Sequence, residues 1–309
     1  MKSKIYVIGS SNTDMVVKSN FLPKPGETVI GDTFLMNPGG KGANQAVSAC
    51  KLGADVTFIT KVGNDMFGKK AVNNFKKTGI KTDFIRIDKN NSSGVAIIMV
   101  DKSGENSISV APGANNSLTI KDVNFIEEKL KADDYVLIQL EIPKTVVEYL
   151  IEICNKLKVK LILNPAPFQK ISDYHLSQVN TITPNEIETE YLSGIKVKDK
   201  ETAKKASEIL INKGIKNIII TMGEKGAFYK SSSFEGLIPT KKVSVIDSTA
   251  AGDTFNGALV AGLSMKMDML TSIDFANNAA TYSVTKLGAQ SSAPSINDLN
   301  NKFLKYVHS

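Results

Sequence analysis

The chain has 309 residues, of which 42% are hydrophobic and 22% are charged, which is typical of a globular protein with a sizeable core. The formal net charge is +7, but the lysines are spread along the chain, which argues against a nucleic-acid-binding face and favours small anionic substrates. Cys50 and Cys154 belong to no disulfide or metal motif, and no signal peptide or membrane-length apolar run is present, so we expect a cytoplasmic protein.

The first predicted element is a buried strand over residues 4–9, which is followed by the polar segment 10–14. In a parallel sheet, polar residues that follow a strand face the ligand crevice. Asn12 and Asp14 alternate in sequence, so both can point to one side of an extended segment. Asx turns in an ordinary loop explain the same residues, and both interpretations stay open here. The dinucleotide-binding pattern G-x-G-x-x-G is absent from this segment.

Two strand-rich inserts, at about 13–38 and 93–111, interrupt the α/β pattern. Each combines short apolar runs with glycine, proline or asparagine at turn positions, which predicts hairpins. Together they predict a small β-sheet beside the main domain. A lid over an active site is the functional interpretation of such a sheet.

A glycine-rich segment, residues 39–46, begins a predicted helix that runs to Leu52. Glycine inside a helix costs about 1 kcal/mol relative to alanine, so three glycines within four positions favour a functional reason beyond packing. Lys41 and Asn44 are three residues apart and therefore share one helical face. The segment does not match the P-loop pattern.

Further along, a helix is predicted over about 119–131, and strands and helices then alternate over 135–265. This alternation predicts a mostly parallel sheet with helices on both faces. Polar residues recur where predicted strands end, and open parallel sheets bind their ligands at that edge. These residues are Asn12, Asp14, Glu141, Asn164, Asn185, Thr221, Asp247 and Asp253.

Small residues dominate the segment 247–257, which links a strand predicted over 242–246 to a predicted helix. The unpaired amides at a helix N-terminus bind anions, and small residues let a phosphate approach the backbone closely. Asp253 stands at this point, where a carboxylate suits a general base for a hydroxyl that attacks a phosphoryl group. An aspartate that only stabilises the helix start is the alternative, and this segment alone does not separate the two.

Two motifs, residues 39–46 and residues 247–257 with Ala251-Gly252-Asp253-Thr254, accompany the segment Ser11-Asn12-Thr13-Asp14. With them the sequence resembles the ribokinase family of carbohydrate kinases over essentially its whole length. The resemblance implies an α/β fold, a three-layer α/β/α sandwich with a mostly parallel central sheet and a small β-sheet lid. It also implies one kinase domain over 1–309, with the lid formed by the inserts at about 13–38 and 93–111.

The activity that this resemblance implies is the ATP-dependent phosphorylation of D-ribose at its 5-hydroxyl. Asp253 would be the general base, and the backbone amides of residues 250–252 would form the anion hole. The residues implied to bind the sugar are Asn12, Thr13, Asp14, Gly40, Lys41, Gly42, Ala43, Asn44, Glu141 and Asp253. Those implied to bind ATP are Asn185, Thr221, Met222, Gly223, Glu224, Lys225, Gly226, Gly252, Asp253 and Asn277.

The resemblance also implies two cations and a homodimer. Glu188, in the pattern Asn185-x-x-Glu188, would organise Mg²⁺ through water. A monovalent cation, K⁺ in most relatives, would bind at Asp247, Thr249, Ser283, Lys286, Gly288 and Ser292, several of them through backbone carbonyls. Related enzymes dimerise through their lids, so we expect the same here.

Two other functions stay open at the level of sequence. One is a kinase for deoxyribose, fructose or adenosine on the same fold; adenosine needs an apolar slot, and the predicted lid offers few aromatic residues, Phe21 and Phe34. The other is a non-catalytic sensor of a sugar or nucleotide, which would not need a carboxylate base in an anion hole.

Overall fold

The computed structural model describes residues 3–299 and residue 303 of the chain. Its strands are β1 (Ile5–Ile8), β2 (Asn12–Lys18), β3 (Thr33–Gly39), β4 (Val56–Ile59), β5 (Lys61–Gly63), β6 (Arg86–Asp88), β7 (Gly94–Val100), β8 (Asn106–Ala111), β9 (Tyr135–Ile138), β10 (Lys160–Leu163), β11 (Thr181–Ile182), β12 (Asn217–Thr221), β13 (Ala227–Lys230) and β14 (Glu235–Ile238). Its α-helices are α1 (Lys41–Lys51), α2 (Met66–Thr78), α3 (Ile120–Val123), α4 (Ile126–Lys129), α5 (Lys144–Leu157), α6 (Asp173–Leu176), α7 (Glu186–Ser193), α8 (Lys200–Asn212), α9 (Ala251–Ser264) and α10 (Met269–Ser283).

The large sheet has the strand order β14-β13-β12-β11-β10-β9-β1-β4. The strands from β4 to β12 in this order run parallel, and β13 and β14 complete the sheet in antiparallel pairing. The chain leaves β1 toward β4 and leaves β9 toward β10, so the winding direction reverses between β1 and β9. In open α/β sheets such a reversal places the ligand crevice beyond the carboxyl ends of the two strands.

Apolar residues on both faces of the sheet are covered by helices. Along β1, Tyr6 and Ile8 pack into one hydrophobic cluster, and Ile5 and Val7 pack into the other. Helices α3 to α8 contribute to the first cluster, and α1, α2, α9 and α10 contribute to the second. Strands buried on both faces read as continuous apolar runs, as β1 does. The predicted three-layer α/β/α sandwich with a mostly parallel sheet is therefore confirmed.

Several helices begin at the side chains that the sequence supplies for this purpose. The Asp65 carboxylate accepts a hydrogen bond from the Gly68 N–H at the start of α2, and Asp268 caps α10 in the same way. The helix predicted over 119–131 is broken into the two short helices α3 and α4. None of the helices in the described part of the chain is long and apolar enough to cross a membrane.

A small sheet is built from the two inserts, in the order β3-β2-β7-β8. Strand β2 pairs antiparallel with β3 and parallel with β7, so that Asn12 lies between Gly39 and Gly94. The predicted second sheet is thus present. Because β2 begins only a few residues after β1 ends, the small sheet extends directly from the ligand edge of the large one.

The prediction of a strand over residues 242–246 is wrong. This segment has no strand partner; the N–H groups of Ile246 and Asp247 instead donate to the Val284 carbonyl, at 2.8 and 3.2 Å. Its apolar side chains are largely exposed, with Val245 and Ile246 at 63% and 62%. Alternating β-branched residues favour extended backbone, but a strand also needs a neighbour for its hydrogen bonds, and this segment crosses the surface without one.

Two glycines allow α1 to lie very close to the rest of the core. A Cβ on Gly42 would lie 2.6 Å from backbone atoms of Gly9, at the end of β1. A Cβ on Gly257 in α9 would lie 2.6 Å from the backbone oxygen of Gln45 in α1. The first turns of α1 and α9 are therefore held beside each other and beside the end of β1.

We expect Gly42→Ala to lower the free energy of unfolding by about 1–3 kcal/mol, because α1 or the end of β1 must shift to admit the methyl group. Gly252, at the equivalent second position of α9, has no atom within 4 Å of its Cβ position, so Gly252→Ala is the matched control. The control is expected to be neutral or to stabilise by up to about 1 kcal/mol. Urea denaturation of both variants measures this, and equal destabilisation would contradict the proposed close contact.

Candidate active site

A cluster of polar side chains lies where β1 and β9 end and where β2 and α1 begin. The Glu141 carboxylate accepts hydrogen bonds from the Ser10 hydroxyl at 2.5 Å and from the Lys41 backbone N–H at 3.0 Å. The Asn12 side-chain oxygen accepts from the Asn115 amide at 2.7 Å. A cavity of about 270 Å³ opens beside Asn12 and Glu141. Fixed carboxylate and amide groups around such a cavity suit a ligand rich in hydroxyl groups.

The glycines at the edge of the small sheet make room for these side chains. A Cβ on Gly39 would clash with the Asp14 carboxylate, and a Cβ on Gly94 would clash with the Asn12 side-chain oxygen. Gly40, the residue before α1, has a φ of 89°, which favours glycine. The space that the Asp14 carboxylate occupies is thus a physical reason for glycine at position 39, and the backbone conformation and close backbone contacts are the reason at position 40.

Lys41 is the positive centre of the cluster. Burial lowers the pKa of its ammonium group, but the nearby carboxylates of Asp253, Glu141, Glu188 and Asp14 outweigh this and raise the pKa overall. Lys41 therefore stays charged at neutral pH. Its position lets one ammonium group offset the mutual repulsion of carboxylates that come from four different elements.

The pKa of Asp14 is displaced toward neutral pH. Burial, followed by the charges of Glu141 and Asp253, raises the pKa of its carboxyl to about 6, and Lys41 opposes the shift. Asp14 therefore changes its protonation state close to physiological pH, whereas an unperturbed aspartate does not.

Asp253 lies in the first turn of α9, where it is only 7% exposed. Asn44 donates its side-chain N–H to Asp253 Oδ2, and Gln45 donates to Asp253 Oδ1, both at 2.9 Å. Burial raises the pKa of the Asp253 carboxyl, while Lys41 and these two amide donors oppose the rise. Asp253 is thus a buried carboxylate in a fixed orientation, with its basicity increased by its surroundings.

The turn before α9 has the geometry of an anion-binding helix start, with one change from the prediction. Ala250 has a φ of 59°, which is uncommon for a residue with a side chain. Its carbonyl accepts from the Thr254 N–H at 2.8 Å. The Ala251 N–H already donates to the Ser248 carbonyl at 3.2 Å, so the amides of the following residues are better placed than Ala251 to bind an anion.

A larger cavity, of about 500 Å³, lies on the other side of this turn. Seven of the residues predicted to bind the nucleotide line it: Asn185, Thr221, Gly223, Glu224, Gly226, Gly252 and Asn277. The Asn277 amide donates to the Ile238 carbonyl at 3.0 Å, which fixes its side chain. A deep cavity with apolar walls and a few polar groups is typical of a nucleotide site.

Three of the predicted nucleotide residues do not line this cavity, and one of them is Asp253, whose contacts are described above. Met222 is buried in the core, and the Lys225 ammonium donates to the Lys198 carbonyl at 2.6 Å. Other lining residues were not predicted. They include Thr240 just before the segment 242–246 that was predicted as a strand, Val243 and Val245 within it, and Ala280, Thr281 and Val284 at the end of α10. Apolar residues directly before the segment of small residues were the sequence signal for this wall of the cavity. The signal was missed because the same residues were predicted to form a strand.

Glu188 and Asn185 form a reciprocal capping box at the start of α7. The Asn185 N–H donates to Glu188 Oε2 at 2.9 Å, and the Glu188 N–H donates to Asn185 Oδ1 at 2.8 Å. Burial raises the pKa of Glu188, and Lys41 and Asp253 are close enough to influence it. The pair therefore stabilises a helix start at the edge of the site, whatever else it binds.

Asp247 joins the two segments predicted to hold a monovalent cation. Its carboxylate accepts from the Thr249 N–H and from the Gly288 N–H, both at 2.9 Å. The structure thus brings Asp247, Thr249 and Gly288 together. The Ser283 and Ser292 hydroxyls donate to the Ala280 and Ala289 carbonyls of their own segments. The Lys286 ammonium lies 5.7 Å from the centre of the Tyr282 ring. Because an ammonium group cannot bind a cation, Lys286 can contribute only its backbone carbonyl to such a site.

The remaining predicted sugar residues surround the cluster. Thr13 follows Asn12 in β2, and Gly42 and Ala43 lie in the first turn of α1, where the Ala43 N–H donates to the Ser10 carbonyl at 2.9 Å. Sequence reasoning did not predict Gln45, Gln139 and Gln290 as part of the site. An amide within an otherwise apolar strand was the available signal for Gln139.

Comparison with known proteins agrees with this geometry. Residues 2–296 match the model of the pfkB family of carbohydrate kinases. A ribokinase of Haemophilus influenzae is 44% identical over 95% of this chain and 96% of its own length, and a deoxyribokinase of Salmonella typhi is 37% identical over 96% and 97%.

A solved structure gives the same result. The structure of Arabidopsis thaliana ribokinase complexed with ribose and ATP superposes with a TM-score of 0.88 at 28% identity, covering 100% of both chains. The fold, the two motifs and these relatives agree, and the chain belongs to the pfkB family of carbohydrate kinases.

Proposed function

We propose that the chain transfers the terminal phosphoryl group of ATP to the 5-hydroxyl of D-ribose, with Asp253 as the general base. The position of Asp253 carries this proposal. Its neighbour Gly252 lines the larger cavity. The Asp253 carboxylate accepts a hydrogen bond from Asn44, and burial, with the charge of Glu141 from the polar cluster, raises its pKa. In this proposal the first turn of α9 would stand between the two substrates.

The chain's own groups account for the proton and for the developing charge. The Asp253 carboxylate would accept the proton of the 5-hydroxyl as that oxygen bonds to phosphorus and the bond to ADP breaks. Each carboxylate oxygen already accepts one amide hydrogen and keeps a lone pair for the hydroxyl. The positive end of α9 would stabilise the negative charge of the transferring group, and bound ATP would supply that group.

The polar cluster would hold the sugar. In this proposal Asn12, Thr13, Asp14, Gly40, Lys41, Gly42, Ala43, Asn44 and Glu141 surround the ribose. Glu141 is fixed by Ser10 and by the Lys41 backbone, so its orientation does not depend on the ligand. Oriented acceptors cost little to organise on binding, which supports both affinity and positioning.

Two cation sites belong to the proposal. Both oxygens of Glu188 are engaged by Asn185, so this carboxylate suits a hydrated Mg²⁺ reached through water. Asp247, Thr249 and Gly288, with the backbone of Ser283, Lys286 and Ser292, offer mainly carbonyl and carboxylate oxygens, which suit K⁺. When bound, the two ions would offset phosphate charge and order the loop before α9.

We propose that residues 1–309 form a single domain in which the small sheet is the lid. We also propose that the chain forms a homodimer through this sheet. Phe34, Leu35 and Met36 on β3, Ile97 on β7 and Ile108 on β8 are large apolar side chains that are 41–58% exposed. Phe34, Met36 and Ile97 lie on one face of the small sheet and Leu35 and Ile108 lie on the other, and exposed apolar side chains of this kind suit contact with a second copy of the chain. Light scattering of the purified protein tests the dimer, and a monomer at assay concentration would contradict it. The cytoplasmic location stays a prediction.

Deoxyribose is the second candidate substrate, since a deoxyribokinase is 37% identical to the chain. The two sugars differ by one hydroxyl, which a site with fixed polar groups can discriminate strongly. Comparing kcat/KM for both sugars decides between them, and a tenfold preference for deoxyribose would overturn the choice of ribose. A non-catalytic sensor is the less favoured function, because it would not need the oriented base at Asp253.

We expect Asp253→Asn to lower kcat by about 10²-fold or more while ribose still binds, because the amide cannot accept the hydroxyl proton. Asp268→Asn, the same change at the exposed cap of α10, is the control and should keep full activity. Ribose-dependent ADP release measures turnover, and calorimetry measures ribose binding. Unchanged turnover in Asp253→Asn would rule out this base.

We expect the KM for ribose to rise as the pH falls below about 6. The ionised Asp14 accepts hydrogen bonds from sugar hydroxyls, so ribose binds the deprotonated form preferentially, and each pH unit below the free-site pKa costs up to roughly tenfold. Asp14→Asn should bind ribose more weakly at pH 7 but without this dependence. A KM for ribose that stays constant from pH 8 to pH 5 would contradict the role of Asp14.

We expect Asp247→Ala to raise the K⁺ concentration needed for half-maximal activation by about tenfold or more, with a KM for ribose within about twofold of the native value. Asp199→Ala, at the exposed start of α8, is the control and should keep the native response to K⁺. Initial rates over a series of KCl concentrations at constant ionic strength measure both values. Native activity that is equal with and without K⁺ would contradict the site.

A further inference from the structure

Two chains of side-chain amides converge on the Asp253 carboxylate from opposite sides. In the first, Gln139 donates to Gln45 Oε1 at 2.6 Å, and Gln45 donates to Asp253 Oδ1 at 2.9 Å. In the second, Gln290 donates to Asn44 Oδ1 at 3.2 Å, and Asn44 donates to Asp253 Oδ2 at 2.9 Å. All five residues are at most 8% exposed, so water does not substitute for these bonds.

The direction of each chain follows from the carboxylate. An ionised carboxylate only accepts hydrogen bonds, so Asn44 and Gln45 must each turn their N–H₂ groups toward Asp253. Their oxygens then face away and require donors, which Gln290 and Gln139 provide. If either outer amide turned over, two oxygens would face each other. Each outer glutamine thus determines which way the inner amide points.

One residue of each chain, the outer Gln290 and the inner Gln45, is held by further contacts. The Gln290 oxygen accepts from the Asn74 amide at 3.0 Å, and the Lys51 ammonium donates to the backbone oxygen of Gln290 at 2.8 Å. Gln45 is held further because the same amide nitrogen donates to the Asn164 side-chain oxygen at 3.0 Å. These contacts anchor both chains to elements outside the sugar cluster.

Gln139 has a further property that points to a role other than stability. Its side-chain oxygen is buried and has no hydrogen-bond partner among the residues that the structure describes. This oxygen lies against Gly9, where a Cβ would clash with it. A buried polar atom without a partner destabilises a fold. An apolar residue of the same shape would avoid this cost, yet it would also remove the donor to Gln45.

We propose that Gln139 and Gln290 are positioning residues that hold the Asp253 carboxylate in the orientation needed to accept the sugar proton. They act through Gln45 and Asn44 and touch neither substrate. This inference rests on the proposed kinase function. The two chains differ in one respect: Asn44 is also a proposed sugar contact, whereas Gln45 acts only on Asp253 and Asn164.

The test uses Gln139→Met and Gln290→Met, which keep the approximate shape of glutamine and remove the amide. Gln178→Met, at a half-buried residue outside the site, is the matched control. We expect Gln139→Met to lower kcat by roughly 10- to 100-fold, with an unchanged KM for ribose, because only the orientation of the base is lost. Gln290→Met should lower kcat and raise the KM for ribose, since Asn44 serves both the base and the sugar.

A pH profile separates positioning from a merely structural role. Losing an amide chain weakens the donor to Asp253, so the acidic limb of kcat should move to higher pH in both variants. The charged groups that face Asp253, namely Asp14, Lys41, Glu141 and Glu188, are unchanged in the variants and the control. A displaced limb therefore reports on the amide chains.

The outcomes distinguish this inference from the proposed function. Native protein that releases no ADP in response to any sugar would overturn the kinase function and this inference with it. Active native protein in which both methionine variants match Gln178→Met would overturn the positioning role alone. Lower kcat with an acidic limb in its native position would also overturn it, since general loosening predicts that result. If one variant does not fold, the other carries the same test.

Discussion

The close contact between α1 and α9 is the constraint on which the site depends. Gly257 lets α9 approach the backbone of Gln45, and Gly42 lets α1 approach the end of β1. Only at this separation can two short amide side chains, Asn44 and Gln45, reach the Asp253 carboxylate directly. The glycines of the motif thus set a distance, and that distance brings together residues more than 200 positions apart in sequence.

Charge balance is the second condition that the fold satisfies. Carboxylates from β2, from the end of β9, from α7 and from α9 surround the single ammonium group of Lys41. Without that positive charge the buried carboxylates would take up protons, because burial favours the neutral form. Lys41 therefore opposes the rise that burial causes in the pKa of Asp253, and it likewise opposes the rise that brings the pKa of Asp14 to about 6.

The sequence predicts the architecture well because its signals are local. Continuous apolar runs such as β1, and polar residues at strand ends, identify the parallel sheet and its ligand edge without any knowledge of contacts. The segment 242–246 fails for the same reason: its alternating residues favour extended backbone, and only the tertiary structure shows that no partner strand exists. Gln290 was missed because a hydrogen bond across 246 residues leaves no pattern in the sequence, and the amide of Gln139 marks an unusual position without identifying its partner 94 residues away.

The way the small sheet is joined to the large one has a mechanical consequence. Asn12 and Asp14 are the first and third residues of β2, so two of the proposed sugar contacts belong to the sheet proposed as the lid. Only three residues separate this strand from β1. A rotation of the small sheet about that short connection would move both side chains relative to Lys41 and Glu141. In the proposed kinase, opening the lid and loosening the sugar contacts would then be one movement.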